Sequence, residues 1–361
     1  MACRLYKSYE AKMNFDQIEK QKTLIKNKIA KGVLLSPREI PFEDELSQEL
    51  KSYIKAWYQR VYDFDFIDVE SFEEQIFHSP DHIQINASDK RLFDGVDSTQ
   101  EDFQLALELM CLKKSIKWNT SSPFVSFDIK IKSRQYRATL LHHSLCKEHG
   151  SKLFLRSQSN DVFPLKGFYD QNFLKNMVAS RKNVLICGPT GSGKTSLLNS
   201  MLNSTSSEDH LLVLEDTYEI LSPHENTTRL LAKEENDLKD FMSYAMRMSP
   251  DRIVLGELRS KEVESFLLAM NSGHRGLMST VHANSAADAV SRVALLTRLY
   301  SQNALDYSLV LKLVAQNIDY VLYMENKKVV EVIELFGSEA DQLFYERLDK
   351  KMAAQKAAIG F

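Results

Sequence analysis

The stretch Gly188-Pro189-Thr190-Gly191-Ser192-Gly193-Lys194-Thr195 restricts the possible folds of this chain more than any other. Glycines at its first, fourth and sixth positions let several backbone N–H groups turn inward around phosphate oxygens, a path on which a Cβ would clash. In a loop of this pattern Lys194 reaches the β/γ-phosphates and the Thr195 hydroxyl sits on Mg²⁺. Asn183-Val184-Leu185-Ile186-Cys187 precedes it as a short apolar run of the kind that makes a buried parallel strand. Ser196-Leu197-Leu198-Asn199-Ser200-Met201-Leu202 follows with helical apolar spacing, and a helix opening near Gly193 adds its positive end to the same anion site. Strand, loop and helix come in the order a P-loop requires. A glycine-rich surface turn, the bland alternative, explains neither flank.

With 361 residues, 43% hydrophobic and 26% charged, the chain is long enough for two domains with their own cores. A net charge of −3 leaves no global electrostatic footprint for nucleic acid. Cys3, Cys111, Cys146 and Cys187 are isolated, so neither a disulfide framework nor a zinc ribbon is suggested, and a reducing cytoplasm fits. No run approaches the length of a membrane span, and residues 1–12 lack the apolar segment of a secretion signal. Service to a membrane would be from its cytosolic face.

Residues 15–31 carry Ile18, Leu24, Ile25 and Ile29 among lysines, which predicts an amphipathic helix ending near Gly32. Pro37 and Pro41 break the chain, and residues 43–62 resume helical spacing through Leu46, Leu50, Ile54 and Tyr58. His82-Ile83-Gln84-Ile85-Asn86 alternates like a strand that runs into the turn Ala87-Ser88-Asp89-Lys90. Phe103, Ala106, Leu107 and Met110 predict a helix; residues 124–131 and 136–141 predict paired strands around Lys132-Ser133-Arg134; residues 152–156 predict another strand. These make a small α/β domain with an antiparallel sheet over residues 63–160, preceded by a helical arm over 1–62. Pro164 and Gly167 punctuate a polar linker, placed at 161–172. From residue 173 strands at 184–187, 211–214, 253–255 and 276–281 alternate with helices, which implies a mostly parallel sheet. Near the end Glu325-Asn326-Lys327 marks a hairpin, and residues 338–358, rich in Ala and Lys, read as helix.

Three polar clusters fall at the ends of predicted strands, where open α/β sheets bind ligands. Glu215-Asp216-Thr217-Tyr218-Glu219 follows Leu211-Leu212-Val213-Leu214; a carboxylate here either orients the water that attacks a γ-phosphate or merely begins a loop. Arg252-Ile253-Val254-Leu255-Gly256-Glu257-Leu258-Arg259 has the form of a Walker B strand, whose acid holds Mg²⁺ directly or through water. Arg259 is either an ion-pair partner or a reporter of nucleotide state. The third cluster runs from Asn271 through Gly273-His274-Arg275-Gly276 to Ser279-Thr280-Val281-His282-Ala283-Asn284. No cysteine or third histidine stands at ligand spacing, so zinc is not expected. His282 ends a strand beside the P-loop, where an imidazole can hold a carboxylate or phosphate.

Together these motifs resemble the Walker A, Asp box, Walker B and His box of the type II/type IV secretion ATPases, in matching order and approximate spacing. Ser249-Pro250-Asp251-Arg252-Ile253-Val254 and Ala269-Met270-Asn271-Ser272-Gly273-His274 are most similar to the tight-adherence (Flp) pilus assembly ATPases, often called CpaF-like. The resemblance spans about residues 183–298 and is weaker before them. There Ile83-Gln84-Ile85-Asn86 resembles the family's first-domain strand, Tyr136-Arg137 its Gly-x-Arg-Val strand and Leu153-Phe154-Leu155-Arg156 its Ile-Arg-Lys strand.

The resemblance implies a RecA-like P-loop ATPase domain after a PAS-like first domain. It also implies ATP and Mg²⁺ as ligands, bound between the two domains, and a homohexameric ring. The ring would be cytoplasmic, peripheral to the inner membrane and beneath a platform protein of a pilus or secretion machine, with no DNA expected. Residues 188–196, with Glu215 and Arg259, are the implied nucleotide contacts. Thr195 and, through water, Glu257 are the implied magnesium ligands; Glu219 activates water, and His282 links nucleotide state to domain movement. Arg137 and Arg156 are the implied arginine fingers, which neutralise charge in the transition state; two exposed strand arginines are the alternative.

Some residues depart from the family pattern. Arg275 replaces an acid between His274 and Gly276, and Ser133-Arg134-Gln135 replaces a glycine turn. The tetracysteine module of type II secretion ATPases and the Ala-Ile-Arg-Asn-Leu helix of retraction ATPases are absent, which favours assembly or traffic over retraction. A nucleotide-gated regulatory subunit with little turnover and a nucleic-acid-translocating ring are the competing readings.

Overall fold

Apolar residues three and four apart build the first helices. In α1 (Phe15–Ala30) they bury Ile18, Ile25 and Ile29, and in α2 (Gln48–Asp63) Leu50, Ile54, Trp57, Tyr58 and Val61. The second helix begins later than residue 43, because the Ser47 hydroxyl accepts from the Leu50 N–H and caps it there. Thr99 caps α3 (Gln100–Lys113) in the same way, accepting from the Asp102 N–H. The computed structural model describes residues 15–348 except 67–71, 88–89, 97, 133, 148–149, 159–160, 233–235 and 302–304. The chain divides into two units, Met1–Ser159 and Asn160–Phe361.

In the first unit the three helices share a core with an antiparallel sheet of order β3-β2-β1-β6-β5-β4. Its strands are β1 (Glu74–Ser79), β2 (His82–Ala87), β3 (Lys90–Asp94), β4 (Phe124–Ile131), β5 (Arg134–Leu141) and β6 (Lys152–Gln158). Phe77, Ala138, Leu140, Leu153 and Leu155 point into that core with Ile54, Phe103 and Leu107. Each fully buried large side chain there contributes about 1.5–3 kcal/mol of transfer free energy. The sequence reading missed β1 and β3. In β1 the inward positions are Gln75, Phe77 and Ser79, so two polar residues hide the alternation. The expected turn at Ser88-Asp89 and Ser133 lie outside the described residues.

The second unit holds an eight-stranded sheet of order β14-β13-β12-β7-β11-β10-β8-β9. Strands β7 (Val184–Cys187), β8 (Leu211–Glu215), β10 (Arg252–Leu255) and β11 (Met278–Val281) are buried at every position. They run parallel with the flanking β9 (Thr227–Leu231) and β12 (Tyr320–Glu325). Val184 and Ile186 join a core with α4 (Gln171–Ala179) and α5 (Lys194–Leu202). Leu185 and Cys187 join the core on the other face, with α6 (Leu238–Ala245), α7 (Glu262–Asn271), α8 (Ala286–Tyr300) and α9 (Tyr307–Asn317). The fold is α/β, an antiparallel sheet domain followed by a mostly parallel one.

The hairpin after β12 is present, with Asn326 and Lys327 at φ 48° and 63° before the antiparallel strand β13 (Lys328–Glu339). The helix expected over residues 338–358 is not: residues 338–339 finish β13, and β14 (Gln342–Arg347) pairs back on it. Left-handed Ala340 turns the chain, and the aromatic Phe344 and Tyr345 favour a strand after it. Residues 349–358 of that expectation lie outside the described residues.

Candidate active site

The loop of residues 188–193 leaves β7 and enters α5 at Gly193, which is left-handed at φ 93°. Gly188 is required by space as well as conformation: a Cβ there would lie 2.3 Å from the Met324 carbonyl oxygen and 2.8 Å from Ser192 Oγ. Pro189, Thr190 and Gly191 form the exposed lip, while Ser192 is buried and its Oγ has no hydrogen-bond partner. Lys194 Nζ donates to the carbonyl oxygens of Gly188 (3.0 Å) and Pro189 (2.9 Å). An open glycine cradle, an unpaired buried hydroxyl and an ammonium group are a donor set that fits a polyphosphate.

Four strand ends converge around this loop. From α5, Thr195 Oγ1 donates to Glu219 Oε2 at 3.2 Å. Glu219 follows β8 in a segment held from two sides. Glu215 Oε1 accepts from the N–H groups of Glu219 (2.8 Å) and Ile220 (2.7 Å). Asn199 Nδ2 donates to the Glu219 carbonyl at 3.1 Å, and Asn199 Oδ1 accepts from the Leu221 N–H at 2.9 Å. Glu215 is 2% exposed, and burial pushes its carboxyl up to about 7 against the opposing pull of those N–H groups and of Arg229. Arg229 pairs with the other Glu215 oxygen at 3.4 Å and lies over the Tyr218 ring.

After β10, Glu257 is engaged through both oxygens, by His282 Nε2 (3.2 Å) and by Arg259. Arg259 also reaches Asp216 at 2.8 Å, so it joins the ends of β8 and β10 as an ion-pair partner. His282, after β11, has Nδ1 3.3 Å from Lys194 Nζ. Burial and then the Lys194 cation hold its pKa below the ordinary value. The ring thus stands between the Lys194 ammonium on its Nδ1 side and the Glu257 carboxylate on its Nε2 side. The site therefore carries an unbroken polar chain from Lys194 through His282, Glu257 and Arg259 to Asp216.

The sequence-predicted groups of the second unit thus come together, with Glu215 turned inward onto the backbone of Glu219. Ser196 follows Thr195 in α5, and its carbonyl accepts from the Ser200 hydroxyl. Arg275 is exposed. Arg137 and Arg156 belong to the first unit and are brought together with each other as direct cross-strand partners on β5 and β6. Their row continues to Glu74 on β1 and Asp128 on β4, and Arg137 Nε donates to Ser126 Oγ at 3.1 Å. Sequence reasoning missed Asn199 and Arg229. The available signal for Asn199 was a polar residue four places after Thr195, on the same helical face in an apolar run. Arg229 gave none, since only the pairing of β8 with β9 puts it beside Glu215. Among the described residues no cluster of His, Cys, Asp and Glu is arranged to hold a metal by itself, and no helix is long and apolar enough to cross a membrane.

Comparison with known proteins gives these arrangements a context. The sequence model of the family described as "Type II/IV secretion system protein" matches residues 128–358. The chain is 28% identical over 257 residues to a probable conjugal transfer protein TrbB of Sinorhizobium fredii, covering 65% of this chain and 76% of that one. It is 31% identical over 181 residues to VirB11 of Agrobacterium fabrum, covering 47% of this chain and 53% of that one. A putative conjugal transfer protein of Mycobacterium tuberculosis is 37% identical over 131 residues, 34% of this chain and 37% of its own. Beyond TrbB of S. fredii, the chain thus spans about half or less of the relatives named. The pilus retraction motor PilT with bound ADP shares the fold at a TM-score of 0.53 and 20% identity, over 80% of this chain and 85% of its own. The ATPase DotB of Yersinia pseudotuberculosis does so at 0.54 and 16% identity, over 89% and 85%.

Proposed function

The chain belongs to the type II/IV secretion system protein family, and on that premise we propose that it is an ATP-hydrolysing motor powering pilus assembly or protein export at the inner membrane. The observation that carries this reading is the meeting of Lys194, Thr195, Glu219, Glu257 and His282 at the carboxyl ends of β7, β8, β10 and β11.

Backbone N–H groups of the glycine loop, Ser192 Oγ and Lys194 hold the β- and γ-phosphates. Lys194 exchanges the carbonyls of Gly188 and Pro189 for phosphate oxygens, a stronger charge-assisted contact. Thr195 Oγ1 and, through water, Glu257 are the groups that would hold Mg²⁺, which would supply neutralisation of phosphate charge. Glu219 accepts a proton from the attacking water; the new O–P bond forms as the bond to the β,γ-bridging oxygen breaks, leaving ADP and phosphate. Arg137 and Arg156 are the groups proposed to neutralise the remaining transition-state charge. When Lys194 leaves His282 for phosphate, the imidazole loses the cation that opposes its protonation, and the contact with Glu257 responds to nucleotide.

The motor is proposed to work as a homohexamer beneath a membrane platform protein, on the cytoplasmic side. The sequence phrases around Asp251 and Ser272 support a tight-adherence pilus machine. The names of the TrbB and Mycobacterium relatives favour a second reading, a conjugal-transfer machine. A net charge of −3 argues against direct nucleic-acid contact by this chain. Phosphate release by the purified chain tests the activity: turnover with wild type that falls at least about 100-fold in Glu219→Gln supports it, and turnover unaffected by that change refutes the assigned site. Single-stranded DNA binding that falls steeply with salt and stimulates hydrolysis would move the assignment to the second reading.

A further inference from the structure

Glu219 is anchored in an unusual way for a residue in a loop. Its own N–H is taken by Glu215 Oε1 and its own C=O by Asn199 Nδ2, so the peptide groups on both sides of its Cα are fixed by side chains. The anchoring extends past Glu219, by one residue to the Ile220 N–H from Glu215 and by two to the Leu221 N–H from Asn199. Both clamping residues are buried, Asn199 at 5% and Glu215 at 2% exposure, where such bonds are not exchanged for water. Asn199 lies four residues after Thr195 on α5, and Thr195 holds the Glu219 carboxylate itself. The helix that opens at the P-loop thus grips Glu219 at its side chain and, one turn later, at its backbone.

We propose that Asn199 and Glu215 are positioning residues that tie Glu219 to the phosphate-binding helix. The P-loop helix and the Glu219 segment then move as one body, and the distance from the Glu219 carboxylate to the γ-phosphate is set within this unit. Glu215, whose sequence position suggests a nucleotide contact, acts through the backbone of Glu219 instead. The inference rests on the proposed role of Glu219 as the group that activates water.

The test is phosphate release by the full chain, with the dissociation constant of a fluorescent ADP analogue and the melting temperature measured alongside. The proteins are wild type, Asn199→Ala, Glu219→Gln and the double variant. Displacing a reacting group by about 1 Å costs on the order of 100-fold, so Asn199→Ala is expected to lower kcat about 10–100-fold. Its affinity for the analogue should stay within about threefold, because the phosphate cradle is untouched. In the Glu219→Gln background Asn199→Ala should cost little more, since it acts only through Glu219. Asn199→Asp serves where Asn199→Ala does not fold: it has the same shape and keeps an acceptor for the Leu221 N–H, but cannot donate to the Glu219 carbonyl. It should show the same loss of kcat. The positioning role is overturned if kcat stays near wild type, if affinity falls in step with kcat, or if the two losses multiply. Wild-type turnover in Glu219→Gln alone would instead overturn the assignment of Glu219, and this inference with it.

Discussion

At Glu215, burial and hydrogen bonding pull in opposite directions. Burial dominates and lifts the carboxyl from an ordinary 4.5 to about 7, although two N–H groups and Arg229 favour the charged form. An acid raised on folding binds its proton more tightly in the folded chain, so its contribution to stability is largest at low pH. That contribution declines as pH rises from about 4.5 towards 7 and is flat above, a total of about 3 kcal/mol. Glu215→Gln does not titrate and should lack this slope. In urea unfolding at pH 5 and pH 8, wild type should lose stability relative to the variant at the higher pH; parallel behaviour would contradict the burial account. The motif residues Lys194, Thr195, Glu219, Glu257 and His282 were legible because each stands next to an apolar strand or a glycine loop. Their partners were not: Asn199, Arg229 and the inward turn of Glu215 depend on hydrogen bonds across elements that spacing along the chain does not encode.

Among elements, the parallel strands are pinned at the end away from the P-loop by Arg252. This side chain is 3% exposed, donates through Nε to Asp209 at 2.6 Å, and reaches the Val178 carbonyl at 3.0 Å. It thereby joins the start of β10, the approach to β8 and the end of α4. Arg252→Leu leaves Asp209 buried beside only the half-exposed Arg181, and should destabilise the chain by about 3–5 kcal/mol in denaturant unfolding; a change below about 1 kcal/mol would show that the network is dispensable. At the other end the P-loop rests on β12. Gly188→Ala would put a methyl group against the Met324 carbonyl and should abolish nucleotide-analogue binding, while Gly191→Ala, which meets no neighbour within 4 Å, should bind more tightly than Gly188→Ala. Equal binding by the two variants would mean that the contact with β12 does not shape the loop. Strands β7, β8, β10 and β11 could be read from sequence because strands buried on both faces are continuously apolar. Strands β1, β3, β9 and β14 could not, since half-exposed or polar positions interrupt their pattern.

For the whole molecule, the two units were legible as a change from paired strands to alternating strand and helix. The machine they serve was not, because it depends on surfaces and partners that local chemistry does not name. The proposed ring makes activity a property of assembly, so specific activity should rise with protein concentration as rings form. Arg137→Ala is expected to reduce kcat by about 10³-fold or more if it supplies transition-state charge, with analogue binding retained; an unchanged kcat would leave Arg137 as a strand residue of the Glu74–Arg156–Arg137–Asp128 row. The most direct measurement is phosphate release by wild type and Glu219→Gln across a concentration series, with particle mass followed in parallel. Wild-type turnover should climb with assembly, and the variant should assemble and bind nucleotide equally but not turn over. Absence of wild-type turnover at every concentration, or equal turnover by the variant, would contradict the proposed motor.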